Sequence, residues 1–239
     1  MAEIDIKNAR VYVRDGKSVQ MGATSLVAAE VLAGVSVITF DAGSVAAEGL
    51  KVGMWLALGS TLRPRYFITG ITGEAVTLHM PLLATVAADA RLYRSDWNEL
   101  EVQLGEGNLT YSIKTPREYK KSRGRLDRVK NADEEPLEVS IDGIWEYFQS
   151  NTGQTVTINE ALLRIYQAAA WVSAGEECQP YSVDLVVDYK PDCANLTKPN
   201  ELLIFPDFRC ENLDGDLSGG SLSIPGNCLA LLPVAIRYT

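Results

Sequence analysis

The sequence predicts a mainly β protein: an antiparallel β-sandwich or barrel with one packed α-helix, preceded by a small β-rich N-terminal unit. Three observations carry this expectation. Apolar and polar residues alternate in short runs, as in Leu100, Val102 and Leu104 against Glu99, Glu101 and Gln103, the period of a strand buried on one face. Glycine-containing turns separate these runs at roughly 10–15-residue spacing, as in small barrels and sandwiches. Only one stretch, 157–175, combines helical periodicity with helix caps.

Composition sets the frame. The chain has 239 residues, 46% of them hydrophobic, and a formal net charge of -9. That length buries a real core in one or two domains, and the composition is that of a globular chain, not a disordered one. No apolar run approaches the roughly 18 residues of a membrane span. "MAEIDIKNARVYV" lacks the basic and apolar regions of a signal peptide. The acidic balance argues against tight nucleic-acid binding, which rests on lysine and arginine neutralising phosphates.

Residues 1–97 are rich in alanine, glycine and valine and hold no cysteine; they are expected to form the small N-terminal unit. "VSVITF" (35–40) and "GLKVGMWLALG" (49–59) read as strands, the second bracketed by glycines. "RYFITGITGEAVTLHM" (65–80) reads as a hairpin turning at Gly-Glu, and "RLYRSDW" (91–97) closes the unit. The stretch 23–34 is compatible with a short helix, but its caps are weak, and its assignment stays open.

Residues 98–239 form the main domain. Strands are expected on both sides of "GEGN" (105–108), with Leu109, Tyr111 and Ile113 on the inward face of the second. "PLEVSIDGIWEYFQS" (136–150) continues the pattern, with a bulge expected where alternation slips at Asp142–Gly143. The helix is expected near 158–173. Thr157 and Glu160 make a capping box, Ile158, Leu162, Ile165, Ala169 and Val172 share a stripe, and Gly175 suits a C-terminal cap. Strands resume at 181–192, 200–218, 220–233 and 234–239. Trp97, Trp145 and Trp171 read as core.

A search for chemistry finds little. Nucleophilic catalysis needs a nucleophile beside a base, and the single histidine, His79, lies in a strand-like run. No GxSxG, Walker or GxGxxG motif lies between a strand and a helix. Asp207, Glu211, Asp214 and Asp216 lack the order of a calcium loop and read as a solvated turn. The chain is therefore expected not to be an enzyme and to use no cofactor or metal.

The cysteines, Cys178, Cys193, Cys210 and Cys228, lack zinc-knuckle spacing. They read as buried free thiols or as disulfide partners. A straight strand between Cys178 and Cys193 holds their ends roughly 30 Å apart, too far for a mutual bond. Each then pairs with Cys210, Cys228 or a neighbouring subunit, or stays free.

The charge-dense stretch is "YKKSRGRLDRVKNADEEP" (119–136). It gathers Lys120, Lys121, Arg123, Arg125, Arg128 and Lys130, then Asp133, Glu134 and Glu135, with almost nothing to bury. A segment of this kind inside a compact domain is usually functional or mobile. One reading is a solvated hairpin without a partner.

From about residue 98 onward the chain resembles the major tail tube proteins of tailed bacteriophages. The resemblance rests on "GEGNLTYSIKTPREYKKSRGRLDRVKNADEEPLEVSIDGIWEYF", "ALLRIYQAAAWVS", "CQPYSVDLVVDYKPDC" and "FPDFRCENLDGDLSGGSLSIPGNC". It rests also on the order strands, charged loop, strands, helix, strands. It covers about 60% of the chain. It implies a homohexameric ring whose sheets join around a channel, with rings stacked head-to-tail and the long loop reaching into the next ring. The basic arm would be the inter-ring contact, and Asp133, Glu134 and Glu135 candidate acidic partners on a neighbour. DNA would pass through the lumen without specific binding, and Glu99, Glu101, Glu138 and Asp184 are candidates to line it. Other implied partners are a terminator, baseplate, tape measure and, for a contractile tail, a sheath. The implied location is the virion tail, assembled in host cytoplasm with no membrane partner. Thiols leaving that reducing compartment would be free to oxidise and lock a finished tube. Alternatives are another ring-forming tail component, such as a terminator or baseplate ring, a tube of a contractile injection system, or a ligand-binding β-sandwich.

Overall fold

The computed structural model describes residues 9–22, 27–58, 64–90, 92–102, 109–122, 125–144, 147–149, 155–176, 178–190, 199–216 and 221–238. They form a mainly β fold of antiparallel sheets with little helix. The strands are β1 (Ala9–Arg14), β2 (Ser18–Gln20), β3 (Val37–Thr39), β4 (Trp55–Leu58), β5 (Arg65–Thr72), β6 (Ala75–Leu78), β7 (Leu92–Ser95), β8 (Glu99–Val102), β9 (Leu109–Ser112), β10 (Arg117–Ser122), β11 (Arg125–Asn131), β12 (Leu137–Ile144), β13 (Tyr147–Gln149), β14 (Thr155–Thr157), β15 (Val183–Tyr189), β16 (Asn200–Cys210), β17 (Asp214–Asp216), β18 (Ser221–Cys228) and β19 (Val234–Tyr238). The helices are α1 (Ser44–Ala47) and α2 (Ile158–Leu163), with a 3-10 turn at Tyr166–Ala168.

Two sheets organise the molecule. The smaller runs β2-β7-β4-β5-β6-β3. Its β5–β6 hairpin turns at Gly73–Glu74, since Thr72 pairs with Ala75; Gly73 has φ +60, which glycine accepts without a Cβ clash. Alternate inward residues such as Leu56, Ile68, Val76 and Leu78 close a core with Val27, Ile38 and Phe40.

The larger sheet runs β8-β1-β15-β16-β18-β12-β9, with β17 on β18 and β19 on β16. β1 therefore belongs here, between β8 and β15, and not with the N-terminal sheet. The sequence division at 97 crosses this pairing, because β1 returns to the main domain before the smaller sheet begins at Ser18. β8 and β9, expected to flank one turn, sit at opposite ends of the path. Laid flat, seven strands put these ends about 29 Å apart, and the residues between them reach at most about 24 Å. The path must curl, and it encloses a core of Val11, Val13, Leu137, Val139, Leu185 and Phe205, among others.

β16 carries the division of this sheet. Its first half pairs with β19 and its end with β18, while β15 runs along its other side. The change falls at Pro206, which lacks an N–H, and Asp207, which has φ +61. The register against β15 shifts between Val183 and Leu185. The β15–β16–β19 part packs against the smaller sheet through Trp55, Ala57 and Phe67 on Val186, Leu202, Ile204 and Ile236.

Other expectations are corrected. β12 pairs with β18 in unbroken register from Leu137 to Ile144, so no bulge falls at Asp142–Gly143. Tyr111 and Ile113 are exposed, because β9 is an edge strand. Residues 214–216 form a strand on β18, not a turn. The helix is shorter than 158–173. Its start obeys the sequence: Glu160 N–H donates to Thr157 Oγ1 at 3.2 Å, and Thr157 N–H to Glu160 Oε2 at 2.8 Å. It stops at Arg164, which has φ 54. Beyond it, Ile165 and Val172 are exposed while Ala168 and Trp171 are buried, so the expected stripe is not one face. Tertiary bonds win over helix propensity here. Val172 N–H donates to Asp15 Oδ2, Gly16 N–H to Val172 C=O, and Ala174 N–H to Ser182 C=O. A Cβ on Gly16 would lie 2.0 Å from Ser173 O, so only glycine permits this close approach.

Candidate functional site

The charge-dense stretch folds as a separate two-stranded sheet of β10 and β11. Glu118 pairs with Lys130, Tyr119 with Val129 and Lys120 with Arg128, and a bulge follows Lys120. β10 and β11 satisfy their ladder bonds on each other alone, and residues 117–121 and 129–131 are exposed. Lys120, Lys121 and Lys130 are exposed. Tyr119 and Val129, a directly opposed pair, are 58% and 55% exposed, an apolar spot among the cations. Arg125 and Arg128 lie in β11 by backbone position; Arg123 lies outside the described residues. Residues 117–131 hold seven cations against two acids, which leaves the remainder of the -9 chain at -14.

The arm is rooted between β9 and β12, which pair with each other from Ser112–Glu138 onward. The acidic candidates lie at this root. Asp133 and Glu134 are exposed. Glu135 is 3.4 Å from Lys114 Nζ, which also meets Glu138 at 2.6 Å. Glu135 and Glu138 thus have a partner in their own subunit, and Lys114 is held more firmly protonated by them.

A second charged cluster, invisible in the sequence, joins the two sheets. Arg65 of β5 meets both carboxylate oxygens of Asp184 on β15, with Nη2 to Oδ1 at 2.8 Å. Both side chains are almost completely buried, at 3% and 4% exposure. Asp184 Oδ1 also accepts the Asp207 N–H at 2.9 Å, and Asp207 Oδ1 accepts the Ser182 hydroxyl at 2.7 Å. The guanidinium lies 5.6 Å from the Trp55 ring centre. Asp184 is thereby corrected as a lumen candidate: it is an interior residue. Glu99 pairs with Arg14 at 2.5 Å and Glu101 with Arg10 at 3.7 Å. The β bulge at Asp207 is what lets one main-chain N–H reach Asp184, and no periodicity announces such a long-range pair.

His79 sits half-buried, its Nδ1 accepting the Phe67 N–H at 2.9 Å. Burial pushes its pKa below the usual value, which favours the neutral ring. It meets Phe67 edge-on, with centroids 5.3 Å apart. Among the described residues, no group of three His, Cys, Asp or Glu side chains is placed to hold a metal ion. Of the calcium-like acids, Asp207 is buried while Glu211 and Asp214 are exposed.

Cys178, Cys210 and Cys228 are free thiols, exposed, half-buried and buried in that order. Cys210 faces Gly226 and Cys228 faces Phe208, so these two cysteines sit diagonally, about 7–8 Å apart, beyond disulfide reach. Burial pushes the Cys228 thiol up to about 12. Cys193 and Trp145 lie outside the described residues. Trp171 is buried, and Trp97 is stacked under Arg14 at 4.1 Å. No helix among the described residues is long and apolar enough to cross a membrane.

Comparison with family models, with curated proteins and with solved structures returns no match.

Proposed function

We propose that this chain is a non-catalytic structural subunit that assembles with copies of itself, as the tail tube proteins of tailed bacteriophages do, into stacked hexameric rings around a channel for the genome. The observation that carries the reading is the β10–β11 arm, a separate, strongly basic hairpin on an otherwise acidic chain. Such a subunit is complementary to its own copies head-to-tail, and head-to-tail contacts that do not close generate filaments. Complementary charge speeds docking and sets register more than it adds affinity. The acidic remainder fits a channel that repels phosphate. The mainly β fold and the sequence resemblance from residue 98 onward support the same reading. In this role the partners are further copies and other tail proteins, and the place of action is the virion.

Negative-stain microscopy of the purified protein tests it. Long hollow tubes are the expected result; isolated rings would favour a terminator or baseplate ring, and featureless monomers would remove the reading. Light scattering across a salt series tests the arm, because exposed charges are screened beyond about 8 Å at physiological ionic strength. Assembly is expected to weaken as salt rises, and a flat response would count against the arm.

A further inference from the structure

A cleft of about 520 Å³ takes its lining from both sheets. The fork in β16 accounts for its place. The first half of that strand pairs with β19 and its end with β18, and the turn from β18 to β19 has to bridge the two branches. Leu229 and Leu232 of this turn line the cleft, facing a lining from the smaller sheet that includes Phe67 and Met80. The two leucines are 59% and 60% exposed, so an occupant would take apolar surface out of water.

The polar lining consists of Arg65, His79, Asp207 and Glu176. Arg65 spends both Nη atoms on Asp184. Its Nε is buried and has no partner among the described residues, on a side chain only 3% exposed. A buried donor left without an acceptor is costly. His79 Nδ1 accepts the Phe67 N–H, so the neutral ring carries its proton on Nε2, a second donor in the same lining. Asp207 is already engaged: its Oδ1 accepts the Ser182 hydroxyl at 2.7 Å and lies 3.9 Å from Arg209. Glu176 is exposed. Among the described residues it is met by the Gln179 amide at 3.4 Å and by no cation. An apolar lining with a few polar groups, in a volume of about 300–1,000 Å³, is the form of a small-molecule site.

We infer that this cleft binds a small apolar amine that carries a carbonyl oxygen, the chemistry of an apolar amino-acid amide. The carbonyl accepts from Arg65 Nε or His79 Nε2, the ammonium meets Glu176, and the apolar side chain lies against Phe67, Met80, Leu229 and Leu232. The site goes beyond the self-assembly reading and does not depend on it.

His79 is the single histidine of the chain, so its ring Cε1–H gives one NMR signal that reports directly on the cleft. L-leucinamide, titrated into the full chain, is expected to move this signal to saturation with a Kd in the millimolar range, the order for about nine heavy atoms. N-acetyl-L-leucinamide keeps the carbonyl and the side chain without the charge, and is expected to bind about threefold more weakly, as for loss of an exposed charge pair. Glu176→Gln is expected to weaken L-leucinamide by the same factor and to leave the acetylated probe unchanged. Leu232→Ala is expected to weaken both probes by about fivefold. Circular dichroism checks that each variant is folded. A His79 signal that stays still or never saturates, equal affinity for the two probes, or folded variants that bind both as the wild type does, overturns the site. A signal that moves with protein concentration alone gives the cleft to a second copy and overturns it too. Tube formation, read by microscopy, stands or falls separately.

Discussion

At Lys120, Lys121 and Lys130 positive charge stands in water on a two-stranded arm; at Arg65 it stands 6% exposed between two sheets. The arm has little apolar content, and these three lysines keep their hydration in the free chain. Arg65 has given up its water and holds Asp184 instead, while Asp184 also holds the Asp207 N–H. The same kind of side chain therefore serves folding at Arg65 and, on the function proposed for the arm, would serve assembly there. Burial, not charge density, decides which.

This contrast is broken most severely at Arg65. Arg65→Ala leaves Asp184 buried without its cation and is expected to destabilise the fold by about 3–5 kcal/mol, measured by urea denaturation. Arg65→Met combined with Asp184→Leu removes both charges and is expected to recover most of that loss, since apolar replacements of buried pairs are often neutral or better. A double variant as unstable as Arg65→Ala would mean that the bond from the Asp207 N–H, not the ion pair, holds the joint.

A smaller effect is expected at the α2 cap. Thr157→Ala removes the oxygen that accepts the Glu160 N–H and is expected to cost about 1 kcal/mol, read from the same denaturation curves. A variant equal to the wild type would show that Trp171 and the bonds to Asp15 hold this region without the cap.

On the arm the stability effect is expected to fall lower still. Arg123→Glu, Arg125→Glu and Arg128→Glu together are expected to change unfolding stability by no more than about 0.5 kcal/mol, as for exposed surface positions, while preventing or slowing assembly. Circular dichroism and sedimentation on one sample check both halves. Normal tubes from the triple variant would remove the arm from the mechanism.

Much of this contrast was legible in the sequence, and the illegible part has a common cause. Alternation located β8, β12 and the β5–β6 hairpin, and the capping box located the start of α2, because these depend on neighbours in the chain. The arm was legible because its sequence is dense in charge and has little to bury. Pairing was not: β8 and β9 read as one hairpin yet lie at opposite ends of the sheet path. The early end of α2 was missed because nothing in the pattern marks Arg164 as left-handed, with φ 54, and further on Asp15, over a hundred residues away, claims the Val172 N–H that a longer helix would use. The Arg65–Asp184 joint spans 119 residues, and a lone arginine at the start of a strand looks like any surface cation. Glu138 stood out as a strand acid, but its partner Lys114 lies across the root of the arm.

The smallest expected effect concerns His79, which lies between these extremes, half-buried and ionisable. Its pKa is lowered because burial disfavours the imidazolium. A histidine whose folded pKa lies below its unfolded value of about 6.5 takes up its proton more readily when the chain unfolds. Its contribution is therefore fully present above about pH 6.5 and is lost as pH falls below it toward the folded pKa. His79→Asn keeps an acceptor within reach of the Phe67 N–H but cannot titrate. The difference in unfolding free energy between wild type and this variant is expected to be constant above pH 7 and to move in the variant's favour as pH falls toward 5. Urea curves at half-unit intervals would show it. A difference that stays flat to pH 5 would mean that His79 is as well solvated as the lysines of the arm, and that the line between exposed and buried charge does not pass through this side chain.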